Sequence, residues 1–88
     1  MIAGGSRNIT ASALISSTET VVLGVIVNSH SSGTLKLWDN TSAVDSFIMN
    51  TFSFPAGSGV YMFGEGIKCA NGLYATVGGT LNCQILTR

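Results

Sequence analysis

The abundance of β-branched side chains is the feature that most restricts how this chain can fold. Val, Ile and Thr account for 23 of the 88 residues, whereas the chain has one Gln, two Glu and two Lys. β-Branched residues pack well on a pleated sheet, while Gln, Glu and Lys favour helices. The eleven Gly residues supply positions at which strands can turn. The composition therefore predicts an all-β protein.

The spacing of apolar residues predicts about eight short strands. The run from Val21 to Val27 is apolar on both faces, as in a central strand, and Leu35 and Leu37 alternate with Lys36 and Trp38 in the next one. We expect one antiparallel β-sandwich or jelly-roll-like barrel over residues 1–88, with residues 1–8 as a flexible N-terminal arm. Predicted turns lie at His30–Gly33, Asp39–Ser42 and Ala70–Gly72, and Gly64–Gly66 is predicted to kink or bulge a strand.

The last part of the chain is predicted to form a hairpin around two adjacent glycines. A two-residue loop at 78–79 would set an apolar face against a polar one, whereas a three-residue loop at 78–80 gives one wholly apolar face. The second register also places Cys83 opposite Ala75. The predicted buried face consists of Leu73, Ala75, Val77, Leu81, Cys83 and Ile85.

Charged residues are scarce, at 9% of the chain, and four basic residues balance four acidic ones. Average soluble domains contain about 25% charged residues. The balance excludes the basic surface of nucleic-acid-binding proteins and offers no attraction to an anionic membrane. Soluble proteins usually protect sheet edges with Lys, Pro or inward charges. We therefore expect a homo-oligomer whose edges are covered by other subunits; the alternative is a Ser/Thr-rich secreted domain.

The N-terminal residues lack the basic stretch and apolar segment of a signal peptide, and no apolar run approaches the roughly 20 residues that span a bilayer. We therefore expect a protein that is made in the cytoplasm and stays soluble. That compartment favours reduced core thiols at Cys69 and Cys83, although a disulfide is geometrically possible. Thirteen residues separate the two, with no second pair and no flanking His, which is not a zinc pattern.

No arrangement of residues indicates catalysis. His30 lies among Ser29, Ser31 and Ser32, but a lone turn histidine beside serine is far more often solvated surface than part of a triad. The acidic residues are scattered, and Asp39 is expected to close a turn through hydrogen bonds. The sequence predicts no enzyme, no catalytic residue, no cofactor and no metal site. The acids considered are Glu19, Asp39, Asp45 and Glu65.

Three of the seven aromatic residues are candidate interface residues. Trp38 alternates with Leu37, so one of the two is expected to point outward, as an interface anchor does. Tyr61 and Phe63 share a face of one predicted strand. A stacking platform for sugars or bases would need several aromatic residues on one exposed face. The stronger interpretation is that most aromatic side chains fill the core.

Several motifs resemble those of small β-sandwich virion proteins of tailed bacteriophages. The resemblance covers about residues 20–88 and is carried by GTLKLWDN at 33–40, GI at 66–67, NGLYATV at 71–77 and a closing strand that ends ILTR at 85–88. In that group, a strand and turn of the form G-T-hydrophobic-x-hydrophobic-x-D-N precedes a late strand containing G-L-Y. These motifs are structural and not catalytic.

The resemblance implies a non-enzymatic capsid decoration (cement) protein that binds and stabilises the major capsid protein shell of a virion. Its position on the virion does not carry over, so a tail, collar or fibre component is the alternative. A carbohydrate-binding module or adhesin is an alternative from another class, and a hydrolase is the last hypothesis.

Overall fold

The computed structural model describes residues 5–44, 47–55 and 57–88. In this part of the chain all regular structure is strand, and every strand pair is antiparallel, which confirms the all-β prediction. None of the described residues forms a helix long and apolar enough to cross a membrane. The strands are β1 Gly5–Ile9, β2 Ala13–Ser16, β3 Thr20–Trp38, β4 Phe47–Ser53, β5 Gly59–Cys69 and β6 Leu73–Thr87.

Two long strands, β3 and β6, form the centre of the sheet. They pair from Val22 opposite Thr87 to Trp38 opposite Tyr74, with three register shifts. Each long strand has a different outer neighbour in each of its halves: β6 pairs with β1 and β2, and β3 pairs with β5 and β4. We call the four-stranded half β1–β6–β3–β5 layer 1 and the half β2–β6–β3–β4 layer 2.

The two layers are continuous through a bend in both long strands. Register shifts bracket residues 28–33 of β3, where Ser32 has a φ of 53°. Facing it on β6, Gly79 has a φ of 67°, in the left-handed region that favours glycine. The two backbones approach so closely here that a Cβ on Gly79 would collide with the carbonyl oxygen of Ser32. The sheet therefore folds over at this point, and its layers face each other.

The core lies between the inner faces of the two layers. Val25 of layer 1 and Leu37 of layer 2 are 1% and 0% exposed and belong to one cluster of buried side chains. A single open sheet would expose both of its faces to solvent. Burial this complete therefore requires a second layer packed against the first. The buried cluster consists of Ile9, Val22, Val25, Val27, Leu35, Leu37, Phe54, Cys69, Leu73, Ala75, Leu81, Cys83 and Ile85.

The predicted C-terminal hairpin is wrong, although its buried face is correct. Residues 73–87 form one strand, so Cys83 lies opposite Val27 and Ile9, and Ala75 lies opposite Leu37. Five of the six residues of the predicted face are buried, and Val77 packs against the core while partly buried. The turn expected at 30–33 is likewise the bend inside β3. The eight expected strands are therefore six.

The remaining connections follow the predictions more closely. Between Met62 and Ile67, β5 contains extra residues relative to β3, and Gly64 and Gly66 have positive φ, which confirms the bulge. Bends occupy residues 39–44 and 70–71. Residues 5–8, expected to belong to a flexible arm, instead pair with β6 as part of β1; residues 1–4 lie outside the described residues.

Candidate functional site

A row of four large side chains crosses the outer face of layer 2. Leu14 lies opposite Tyr74, Tyr74 opposite Trp38, and Trp38 opposite Phe47, so the row contains one residue from each strand of the layer. We call these four residues the aromatic row, after the three aromatic residues among them. Phe47 is 51% exposed and Leu14 is 37% exposed, while Trp38 and Tyr74 are partly buried. The row therefore presents apolar surface to solvent.

Neighbouring residues hold the aromatic row in place. The rings of Trp38 and Phe47 pack edge to face, with centroids 6.2 Å apart and planes at 86°. Lys36 Nζ lies 4.2 Å from the centroid of Trp38 and 4.5 Å from that of Phe47, a cation–π arrangement with both rings. Trp38 Nε1 donates a hydrogen bond to Thr76 Oγ1 at 2.9 Å. The row is thus an ordered aromatic surface with one positive charge above it.

This geometry is better suited to a protein partner than to a stacked sugar or base. Aromatic residues are enriched among the central residues of protein interfaces. A stacking platform needs a free ring face, but Lys36 covers a face of Trp38, and the ring of Phe47 stands nearly perpendicular to it.

Tyr61 and Phe63, the other predicted interface residues, lie elsewhere. Both are on the inner side of β5, where they pack against the core while partly buried. The structure does not bring them together with Trp38, which lies on the outer face of layer 2. They line an apolar groove of about 420 Å³ between β4 and β5. The complete lining consists of Val25, Met49, Phe52, Phe54, Tyr61, Met62 and Phe63.

Aromatic contacts hold the two sides of this groove together. The ring of Tyr61 lies 5.5 Å from that of Phe52 and 5.3 Å from that of Phe54, and the two phenylalanines are 5.1 Å apart. In the part of the chain that the structure describes, β4 and β5 each pair with β3 and not with each other, so besides the connecting chain it is side-chain contacts that join them at this flank of the sandwich.

Sequence reasoning missed three members of the aromatic row. Tyr74 could have been found, because it alternates with Leu73 and Ala75, which were predicted to be buried and are 0% exposed. For Leu14 and Phe47, local alternation does not indicate which residues of other strands lie beside them. Their place in the row depends on the register of β2 and β4 against other strands.

His30 has a structural role. The backbone N–H of Gly33 donates to Nδ1 at 3.2 Å, so the proton lies on Nε2, which donates to the carbonyl oxygen of Pro55 at 2.6 Å. The ring also lies 5.9 Å from Phe54. Because both ring nitrogens are hydrogen-bonded to backbone groups, His30 connects the bend of β3 to the segment after β4.

The cysteines are buried free thiols, as predicted. Burial raises the pKa of Cys83 to about 11 and, with the nearby Asp39 carboxylate, that of Cys69 to about 11. Thiols with raised pKa values stay protonated and are poor nucleophiles and metal ligands. Within residues 5–44, 47–55 and 57–88 there is no group of three or more His, Cys, Asp or Glu that could hold a metal ion.

No known family model matches the chain, and no curated protein or solved structure matches it either. The resemblance to phage virion proteins thus depends on the motifs alone. In the structure two of these motifs touch, because Asp39 Oδ1 accepts a hydrogen bond from the backbone N–H of Asn71 at 2.9 Å. A Cβ on Gly72 would also lie 3.3 Å from the carbonyl oxygen of Asn40. The motif residues therefore join two connections at one end of the fold.

Proposed function

We propose that this chain is a non-enzymatic structural protein of a bacteriophage virion, and specifically a capsid decoration (cement) protein. In this proposal the aromatic row binds the major capsid protein shell and stabilises it. The aromatic row is the observation that carries the proposal, because an ordered, exposed aromatic surface is typical of a protein interface. The sequence resemblance and the small all-β fold support the same function.

The aromatic row suits the role of a binding anchor for a physical reason. Trp38 is already fixed by Thr76 and Lys36, so it loses little side-chain entropy on binding. Phe47 and Leu14 provide exposed apolar area on either side. Lys36 would pair with a carboxylate on the capsid protein, which gives the contact its direction.

Immunoelectron microscopy tests the location of the protein. Particles from a lysate of the host that expresses the chain are labelled with an antibody against it. A decoration protein gives label over the whole shell, whereas a tail, collar or fibre component gives label at one vertex or along the tail. Absence of label from all particles would overturn the virion proposal.

A matched pair of variants tests the binding surface. Phe47 and Val44 are 51% and 53% exposed and only three positions apart. Phe47→Lys places a second cation beside Lys36 within the aromatic row, while Val44→Lys places one in the adjoining bend. We expect the first to weaken rebinding to stripped shells by more than about tenfold and the second to leave it unchanged. Equal binding by both would place the contact on another surface.

A carbohydrate-binding module remains the alternative that the exposed aromatic residues favour. Trp38 is the only tryptophan in the chain, so its fluorescence reports directly on the row. Titration with soluble oligosaccharides should leave that fluorescence unchanged. A saturable change would support a sugar-binding module in place of the capsid contact.

A further inference from the structure

The first half of β5 is an exposed sheet edge. Among the residues that the structure describes, Gly59–Phe63 pairs only with β3, on one side, and from Val27 opposite Gly59 to Gly24 opposite Met62 the pairing is regular. Val60 and Met62 point to the outer face of layer 1 and are 62% and 55% exposed. A regular, apolar edge of this kind readily pairs with another strand.

Other edges of the sheet carry features that discourage such pairing. The second half of β5 contains the Gly64–Gly66 bulge, and Lys68 there forms an ion pair with Glu19 at 2.9 Å. The pairing of β4 with β3 is interrupted by two register shifts. Arg7 of β1 donates to the carbonyl oxygen of Leu14 on β2. Bulges and charges are common means of protecting an edge, and Gly59–Phe63 has neither.

We propose that two copies of this chain pair antiparallel through Gly59–Phe63, around a two-fold axis at Tyr61. Val60 of one copy then lies beside the partner's Met62, and Met62 beside the partner's Val60. The four exposed apolar side chains cover one another on the outer face, as cross-strand neighbours do. The four-stranded layer 1 becomes an eight-stranded layer across the dimer.

Charge supports a second copy as the occupant of this edge. A two-fold interface places a surface against itself, so a charge near the axis would meet a like charge. Residues 46–64, which include β4 and the exposed edge of β5, contain no charged residue. Central strands of a sheet usually lack charged residues, whereas edge strands commonly carry them. The uncharged flank therefore fits another uncharged flank.

A stable dimer needs more buried area than the edge of β5 provides, so the interface must also include the groove between β4 and β5. A standard interface covers about 800 Å² on each partner, which is about one sixth of the 4740 Å² surface of this chain. The five-residue edge alone is too small. One flank of a body measuring 33 × 30 × 18 Å has an area of this order. A two-fold axis normal to layer 1 also brings the β4 sides together, so Phe52 and Met49 at the groove become covered.

Sedimentation of the isolated chain tests the proposal, which concerns a different surface from the aromatic row and needs no virion. We expect the wild type to sediment as a dimer at micromolar concentration. Val60→Lys should raise the dimer dissociation constant by more than about tenfold, because it places a cation in each copy's part of the interface. Val44→Lys, a matched change at an exposed valine away from the edge, should leave it unchanged. A monomeric wild type, or equal behaviour of the two variants, would overturn the proposal.

Cross-linking provides a second measurement that does not depend on a destabilising variant. Val60→Cys copies mixed with Met62→Cys copies should form covalent dimers on mild oxidation, since the register places these positions side by side. The native Cys69 and Cys83 are fully buried and do not compete. Val44→Cys in place of Val60→Cys should give no such product. Equal yields from the two mixtures would refute the register.

Discussion

Replacing Ile85 with alanine should severely destabilise the protein. Ile85 is 0% exposed, and it lies on the inner face of layer 1 opposite Val25. Truncating a buried isoleucine to alanine costs about 2–5 kcal/mol, since it removes apolar contacts and leaves a cavity. Domains of this size have unfolding free energies of about 5–15 kcal/mol. The single change therefore removes a large share of the stability.

The neighbouring residue supplies the control. Gln84 lies on the outer face, where its side-chain amide donates to Ser6 Oγ at 2.9 Å in an exposed contact. Gln84→Ala should cost less than about 1 kcal/mol. In thermal melts at about 4–8 °C per kcal/mol, a loss of about 3 kcal/mol lowers the Tm of the Ile85 variant by about 12–24 °C. Under the proposed function, that variant should also fail to bind capsid shells when it unfolds. Similar melting of the two variants would refute the buried face and the strand register together.

Four further experiments test other parts of the structure. Cys69 and Cys83 should resist alkylation in the native protein and react after denaturation without reductant; protection in both states would reveal a disulfide. Burial raises the pKa of both thiols from 9.0 to about 11, so their contribution to stability is present below pH 9 and is lost as the pH rises towards 11. The Tm should fall less across that range in the C69A/C83A variant. Gly79→Ala should cost more than about 1 kcal/mol in urea titrations, because alanine is strained at positive φ and its Cβ would meet the carbonyl of Ser32; unchanged stability would contradict the bend. His30→Phe should cost about 1–3 kcal/mol in the same titrations, because a backbone amide and a carbonyl lose their hydrogen bonds, and an unchanged midpoint would show that these bonds contribute nothing.

The sequence predicted the buried face of β6 but not its path. Val77 and Leu81 are four positions apart, so they lie on the same face in a continuous strand and also in a hairpin with a three-residue loop. Alternation therefore could not distinguish the two. What distinguishes them is pairing with β3, whose own bend lies opposite Gly79. That contact is between distant parts of the chain, and local patterns do not specify it.

The candidate site was likewise predictable from the sequence only in part. Alternation with Leu37 predicted that one of the pair points outward, and Leu37 is 0% exposed while Trp38 lies on the outer face. The grouping of Trp38 with Phe47 and Tyr74 depends on register across three strands. Turn-forming residues at 30–33 were also ambiguous, because the left-handed conformation that serves a turn serves equally well at a bend inside a strand.

The bend shared by β3 and β6 has a consequence for how the protein folds. Each layer contains one half of β3 and one half of β6. Neither layer can therefore form a complete sheet before the β3 and β6 segments of the chain have met. The β3–β6 ladder joins residues far apart in sequence, and domains dominated by such non-local pairing fold in milliseconds to seconds. Stopped-flow refolding should therefore show one slow cooperative phase. The newly made chain would keep its sparsely charged β strands exposed throughout that interval, which is when they are most open to association with other copies.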